Sequence, residues 1–197
     1  VWHNQNGTTV SFTNISATGT ISTPNVTPAE AFHNGGLVGK KYSASGTGTL
    51  EIVNFYKKDG ITYYTDVVTG DNVLYLVPAD YTGSTVNVAE GTTAIGNYAF
   101  KYNSNVKTVI LASTVRDLGQ GFNESTVEKV VLNEGLTTIS SRAFKSTTAL
   151  KEVVISSTVT EIADNAFQKS GIKEIVIPAN VKTVGETAFG ASLIEKV

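Results

Sequence analysis

The chain of 197 residues has no cysteine, no methionine, one tryptophan, four prolines and two histidines. Without cysteine there can be no disulfide framework and no thiolate metal site, and the sequence neither needs nor records an oxidising compartment. Charge is sparse: 15 Lys and Arg against 17 Asp and Glu leave a net charge of −2, which argues against a nucleic-acid or anionic-membrane role, since such surfaces need clustered Lys and Arg. No apolar run reaches transmembrane length and no signal-peptide pattern opens the chain. A first residue of Val1 rather than Met is expected where a leader has been removed, or of a fragment. Gly-rich phosphate loops and nucleophile elbows are missing. Asp59, Asp66, Asp71 and Asp80 stand singly, without the dense oxygen-ligand spacing of a calcium loop, and a lone Asp usually serves its own turn. The expectation is therefore a chain that is not an enzyme, has no catalytic residues, and folds without a metal or organic cofactor.

What is abundant is small and polar: 27 Thr, 16 Ser and 15 Asn, a weakly charged surface common in exported proteins. The second half adds order. TTAIGNYAF, VRDLGQGF, LTTISSRAF, VTEIADNAF and VKTVGETAF echo one another, and Phe100, Phe122, Phe144, Phe167 and Phe189 follow at steps of 22, 22, 23 and 22 residues. So short a period marks a solenoid, in which each coil covers its neighbour's apolar face. The β-branched runs VKTVIL (106–111), VEKVVL (127–132), LKEVVI (150–155), IKEIVI (172–177) and IEKV (194–197) keep the same beat and should stack as a parallel ladder rising about 4.8 Å per coil. Each coil should hold one strand, a turn and a short helical or 3₁₀ segment around the Phe, an α/β solenoid; the period is too short for a full crossover helix. Ile95, Leu118, Ile139, Ile162 and Val184 should point inward with the Phe column.

The pattern I-G-x-x-A-F … L-K-x-I-x-I-P, fullest in IADNAFQKSGIKEIVIPAN (162–180), resembles the BspA-type leucine-rich repeat of bacterial surface proteins, here in five copies from Glu90 to Val197. The second copy departs from it with Gly121 in place of the preferred Ala. The position that often holds Cys after the Phe carries Asn103, Thr147 or Ser170. The resemblance implies a secreted or surface-anchored protein that binds host proteins, other cells or matrix; no residue-level binding motif transfers with it.

Residues 1–50 contain only Glu30, Lys40 and Lys41 as charged groups, whereas 101–197 hold 21, so the N-terminal part is a different object. TTVSFTNI (8–15) and TLEIVNFY (49–56) read as strands among Gly, Ser, Thr and Pro loops, and AEAFHNGGLVG (29–39) is either a degenerate repeat or part of a cap. Asp59-Gly60 between FYKK and ITYY signals a hairpin, TGDN (69–72) turns the chain into VLYLVPAD, and TVNV (85–88) follows. Three regions result: a β-rich cap at 1–48, a β-meander at 49–89 that merges edgewise with the first coil, and the repeats at 90–197.

Three features stand out as candidates for function. All eight tyrosines lie between Tyr42 and Tyr102, with Tyr56, Tyr63, Tyr64 and Tyr75 on the meander; tyrosine suits recognition surfaces, and equally a half-buried sheet. On the outward ladder face Lys107, Glu128, Lys151, Lys173 and Glu195 form one column, and Thr108, Lys129, Glu152, Glu174 and Lys196 the next, beside Ile110, Val131, Val154 and Val176. Mixed signs favour a self-neutralising solvated face, with a ligand-binding ladder as the alternative. Sequons begin at Asn6, Asn14, Asn25 and Asn123, which chance explains as well as glycosylation does. Two functions fit: an adhesin-like extracellular or cell-surface module that binds a protein or glycan, or a structural subunit assembling head-to-tail through the uncapped C-terminal strand edge.

Overall fold

The structure, a computed structural model, describes residues 53–66 and 69–197 together with four short strands: β1 (Trp2–His3), β2 (Thr9–Val10), β3 (Thr20–Ile21) and β4 (Gly48–Thr49). β1 pairs with β2 and β3 with β4, both antiparallel. The segment 29–39, most of 8–15 and the sequons at Asn6, Asn14 and Asn25 lie outside the described residues. By internal contact density the chain divides into two units, Val1–Tyr56 with Tyr64–Asp71, and Lys57–Tyr63 with Asn72–Val197.

β5 (Val53–Lys58) and β6 (Ile61–Asp66) are neighbouring strands joined by Asp59 and Gly60, at φ 51° and 80°. Two consecutive residues at positive φ give the turn that suits the twist of a tight hairpin, which is why Asp-Gly marks it in sequence. β7 (Asn72–Leu76) pairs in parallel with β9 (Ala94–Ile95).

The repeats build two parallel ladders. The first joins β8 (Thr85–Asn87), β10 (Thr108–Ile110), β11 (Lys129–Val131) and β13 (Glu152–Val154), with Val86, Val109, Val130 and Val153 in register and buried. TVNV thus heads the ladder and is no part of the meander. The second ladder joins β12 (Thr138–Ile139), β14 (Glu161–Ile162) and β15 (Thr183–Val184), a second set of strand segments where one per coil was expected. Ile139 and Ile162 are buried on it, as are Ile95 on β9 and Leu118 beside the isolated bridge at Asp117, while Val184, in the last coil, is half exposed.

No helix occurs among the described residues, so the α/β label is corrected to a β-solenoid. The cause is how backbone donors are shared around each Phe. Ala166, Gln168 and Ser170 bond back three residues to Ala163, Asn165 and Phe167, while the intervening N–H groups of Asn165, Phe167 and Lys169 donate to Glu186, Ala188 and Gly190 in the next coil. The preceding coil repeats this with Arg142, Phe144 and Ser146 donating to Asp164, Ala166 and Gln168. A helix would consume every N–H internally. Here every second donor must turn outward, and Arg142, Ser146, Asn165 and Lys169 accordingly sit at φ 56–60°.

Inside, Phe100, Phe122, Phe144, Phe167 and Phe189 form one column with centroids 4.9–5.1 Å apart and planes within 10° of parallel. Parallel rings at this separation fall within the range aromatic pairs prefer, and the spacing matches the distance between neighbouring strands set by the ladder. The departure at Gly121 has a steric reason, since a Cβ there would lie 2.4 Å from Ile95 Cγ2. The polar position after the Phe serves the backbone. Asn103 donates to the carbonyls of Pro78 and Tyr81 and accepts from Asn105 and Val106 N–H, and Thr147 Oγ1 donates to Phe122 O.

The loops after the first-ladder strands alternate between two designs. Glu90 and Glu134 accept from the backbone N–H and hydroxyl of Ser113 and Ser157 in the following coils. Next to them, the N–H of Gly91 (φ 88°) and of Gly135 (φ 101°) donate to the hydroxyls of Thr114 and Thr158. Glu-Gly and Ser-Thr loops interlock in turn.

Phe144 has a stacked ring on either side and no solvent exposure. Phe144→Ala is expected to cost about 3–5 kcal/mol in urea unfolding, while Val184→Ala stays within about 0.5 kcal/mol of wild type.

Candidate functional site

Alternation along β10, β11 and β13 turns Val109, Val130 and Val153 inward and leaves Thr108, Lys129 and Glu152 facing out on one flank, Ile110, Val131 and Val154 on the other. Thr108, Lys129 and Glu152 stand in register across these three strands, and Glu174 faces Lys196 across a separate bridge. Glu128 lies between Lys107, at 3.7 Å, and Lys151, to which it is hydrogen bonded. Lys129 meets Glu152 at 2.9 Å, and Lys173 meets Glu195 at 3.8 Å. The hydrogen bond from Lys151, aided by the charges of Lys151 and Lys107, holds the Glu128 carboxyl below its ordinary value, against a smaller opposing effect of desolvation. These charges largely neutralise one another. The row Ile110, Val131 and Val154 beside them carries no such compensation, and Ile110 and Val154 are each about 40% exposed (40% and 41%).

The tyrosines are less uniform than their sequence clustering. Tyr63 is 1% exposed and belongs to the core with Ile61, its neighbour on the same strand face, so it is withdrawn from the candidate recognition surface. Tyr64 is half-buried, its ring edge-on to Phe55 at 5.7 Å. Tyr56 and Tyr75 are exposed. A further aromatic group escaped the sequence reading: Tyr98 and Tyr102 are both exposed, and Lys101 Nζ lies 5.1 Å and 5.7 Å from their ring centres. Lys101 also pairs with Glu124 at 2.9 Å, a bond that raises its pKa. The signal was present in NYAFKY, which puts two tyrosines where the third copy has Arg and Ser; Tyr98 occupies a positive φ of 59° that bulky residues rarely adopt.

The first ladder is interrupted. Beyond β13 it resumes only as a single bridge between Glu174 and Lys196. A cleft of about 850 Å³ opens here, lined by Lys151, Glu152, Val154, Glu174 and Val176 among others, so five of the candidate residues come together around it. Lys173 does not line it.

The turn aspartates behave as turn residues: Asp66 Oδ1 accepts from Thr69 N–H, and Asp71 Oδ2 from the Thr69 hydroxyl. Among the described residues no three His, Asp or Glu side chains cluster as metal ligands, and no helix is long and apolar enough to cross a membrane. Asn123 and Ser125 of the fourth sequon are buried, which leaves no room for a glycan on the folded chain.

The profile of the BspA-type leucine-rich repeat region matches residues 81–195 in six copies, more than half of the chain. The chain belongs to the BspA-type leucine-rich repeat family. The match begins before β8, so the strand Thr85–Asn87 is the ladder strand of a copy additional to the five read from the Phe echo. BspA-type repeats are protein-interaction scaffolds, in general without enzymatic activity. Among solved structures, a leucine-rich repeat protein from Bacteroides ovatus superposes with TM-score 0.61 at 24% identity, over 72% of this chain and 40% of that one. The T. pallidum leucine-rich repeat protein TpLRR gives 0.59 at 20% identity, over 71% and 68%. The pneumococcal vaccine antigen PcpA gives 0.50 at 18%, over 71% and 48%. At these identities the likeness is one of fold, and the chain spans less than half the length of the Bacteroides ovatus protein and of PcpA. No curated protein matches the sequence.

In this BspA-type array the charge ladder predicts a pH dependence. Because the folded pKa of Glu128 is lowered, its contribution is fully present above the unfolded carboxylate pKa and is lost as pH falls through the lowered folded value. Thermal melts recorded from neutral pH down through the carboxylate range should show a slightly shallower acid-side decline for Glu128→Gln than for wild type, with little difference between the two at low pH.

Proposed function

We propose that this BspA-type chain is a non-catalytic, secreted or surface-displayed binding module, adhesin-like in use, that takes a protein or glycan partner on the outer face of its first ladder. The observation that carries the reading is the apolar row Ile110, Val131 and Val154, held in register on an open strand face. Apolar side chains aligned on an exposed face leave surface that a partner can cover, while the flanking ion pairs set orientation more than affinity. Ile110 and Val131 sit on strands paired on both sides, so little entropy is lost there on binding. The exposed Tyr98 and Tyr102 supply aromatic area of the kind that anchors interfaces.

The weakly charged, Thr-, Ser- and Asn-rich composition suits an exported protein, and PcpA, which shares the fold, is described as a vaccine antigen. A labelled chain applied to intact host cells and to immobilised matrix proteins and glycans should show saturable binding. Ile110→Ser with Val154→Ser should weaken it by about tenfold or more while the melting temperature changes little. Undiminished binding by a folded double variant removes the ladder face from the interface. A mass that grows with concentration in light scattering favours the head-to-tail subunit instead.

A further inference from the structure

Each junction of the first ladder uses the same backbone bonds, which makes the interrupted one readable group by group. Glu128 and Lys129 N–H both donate to Lys107 O, Lys151 and Glu152 N–H to Glu128 O, and Glu195 and Lys196 N–H to Lys173 O. At the far end of the strands Val88 N–H donates to Ile110 O, Leu111 N–H to Val131 O and Leu132 N–H to Val154 O. The equivalent bonds between β13 and residues 172–177 would run from Lys173 and Glu174 N–H to Lys151 O, and from Ile155 N–H to Val176 O. None of the three forms, and these five backbone groups have no other hydrogen-bond partner among the described residues.

The chain reaches this strand through Gly171, whose N–H donates to Thr147 O and where a Cβ would lie 2.1 Å from Thr148 O. That close approach accommodates no side chain. The cleft of about 850 Å³ is lined from both sides of this break, by residues 151–155 and 174–178, and by Lys196 and Val197. Pro178 at its rim has no N–H to offer.

We propose that this break in the ladder binds an extended polypeptide segment by strand addition. Two facing strand edges with unmet donors and acceptors are a template for a peptide backbone, and a parallel partner in the ladder's register can meet the groups on either wall. Val154, Ile155, Val176 and Ile177 line the cleft and favour β-branched side chains on the incoming strand. Glu174, which makes no ion pair among the described residues, favours a Lys or Arg there, whereas Lys151 and Glu152 on the opposite wall are already paired with Glu128 and Lys129. The strand type that fits is the ladder's own, of which VEKVVL (127–132) is an example. This site deepens the interaction-module reading and rests on it for the class of partner; the first measurement below needs no partner at all.

Amide hydrogen exchange should find Ile155, Lys173 and Glu174 exchanging at least tenfold faster than Leu132, Lys151 and Glu152, their counterparts at the intact junction. Equal protection would mean that the ladder closes in solution and would overturn the site. A fluorescent, end-blocked VEKVVL peptide should then bind saturably, slow exchange at Ile155, Lys173 and Glu174, and lose at least tenfold in affinity when its central Val is replaced by Pro. Val176→Asp, at a position 83% exposed, should keep the fold and abolish binding. Peptide that binds without protecting these amides, or that binds Val176→Asp unchanged, overturns the proposal. Such a failure leaves the cell-binding test of the ladder face untouched.

Discussion

Main-chain hydrogen bonding between successive coils is the constraint on which the rest of this molecule depends. It fixes a rise of about 4.8 Å per coil, and every side chain that repeats must tolerate a copy of itself at that distance. Valines and isoleucines do so by ordinary packing. The phenylalanines do so in a near-parallel stack whose centroid spacing lies within the range aromatic pairs prefer, so ring packing and ladder rise agree. On the outside, the same rise brings charges close enough to pair, and the mixed signs of Lys107, Glu128 and Lys151 meet that condition.

The constraint also explains why no helix forms around the Phe residues. Donors that a helix would use internally are committed to the neighbouring coil at alternate residues, and the backbone meets both demands only by placing residues such as Asn165 and Lys169 at positive φ. Satisfying buried backbone groups therefore decides the path of the coil, and residue propensity follows. Asn103 serves the same end through its side chain, meeting two carbonyls and two N–H groups at once.

Period, ladder register and the Phe column were legible because each rests on large apolar side chains recurring at fixed spacing. The second ladder was not: Thr138–Ile139, Glu161–Ile162 and Thr183–Val184 are two residues long and half polar, too short for an alternation to register. Tyr63 was misplaced because an aromatic residue with a polar tip suits core and surface equally, and only its sharing a face with Ile61 separates the two. The register of the outward residues was visible in advance as far as β13. The break beneath them was not, since LKEVVI and IKEIVI are nearly the same string on its two sides. What differs is the approach through Gly171, a matter of backbone path that six similar residues cannot report.

The interlocking loops give the array a grammar longer than its repeat. A Glu-Gly loop is satisfied by a Ser-Thr loop in the coil that follows, from Glu90 to Ser113 and again from Glu134 to Ser157, so the unit that tiles without conflict is a pair of coils. Deleting one coil from the middle would set two Glu-Gly loops, or two Ser-Thr loops, side by side: in the first case two carboxylates face each other, in the second the hydroxyls lose their acceptor. Duplication in the history of such a gene would therefore be tolerated most readily in even steps, and engineered arrays drawn from this sequence should be lengthened two coils at a time.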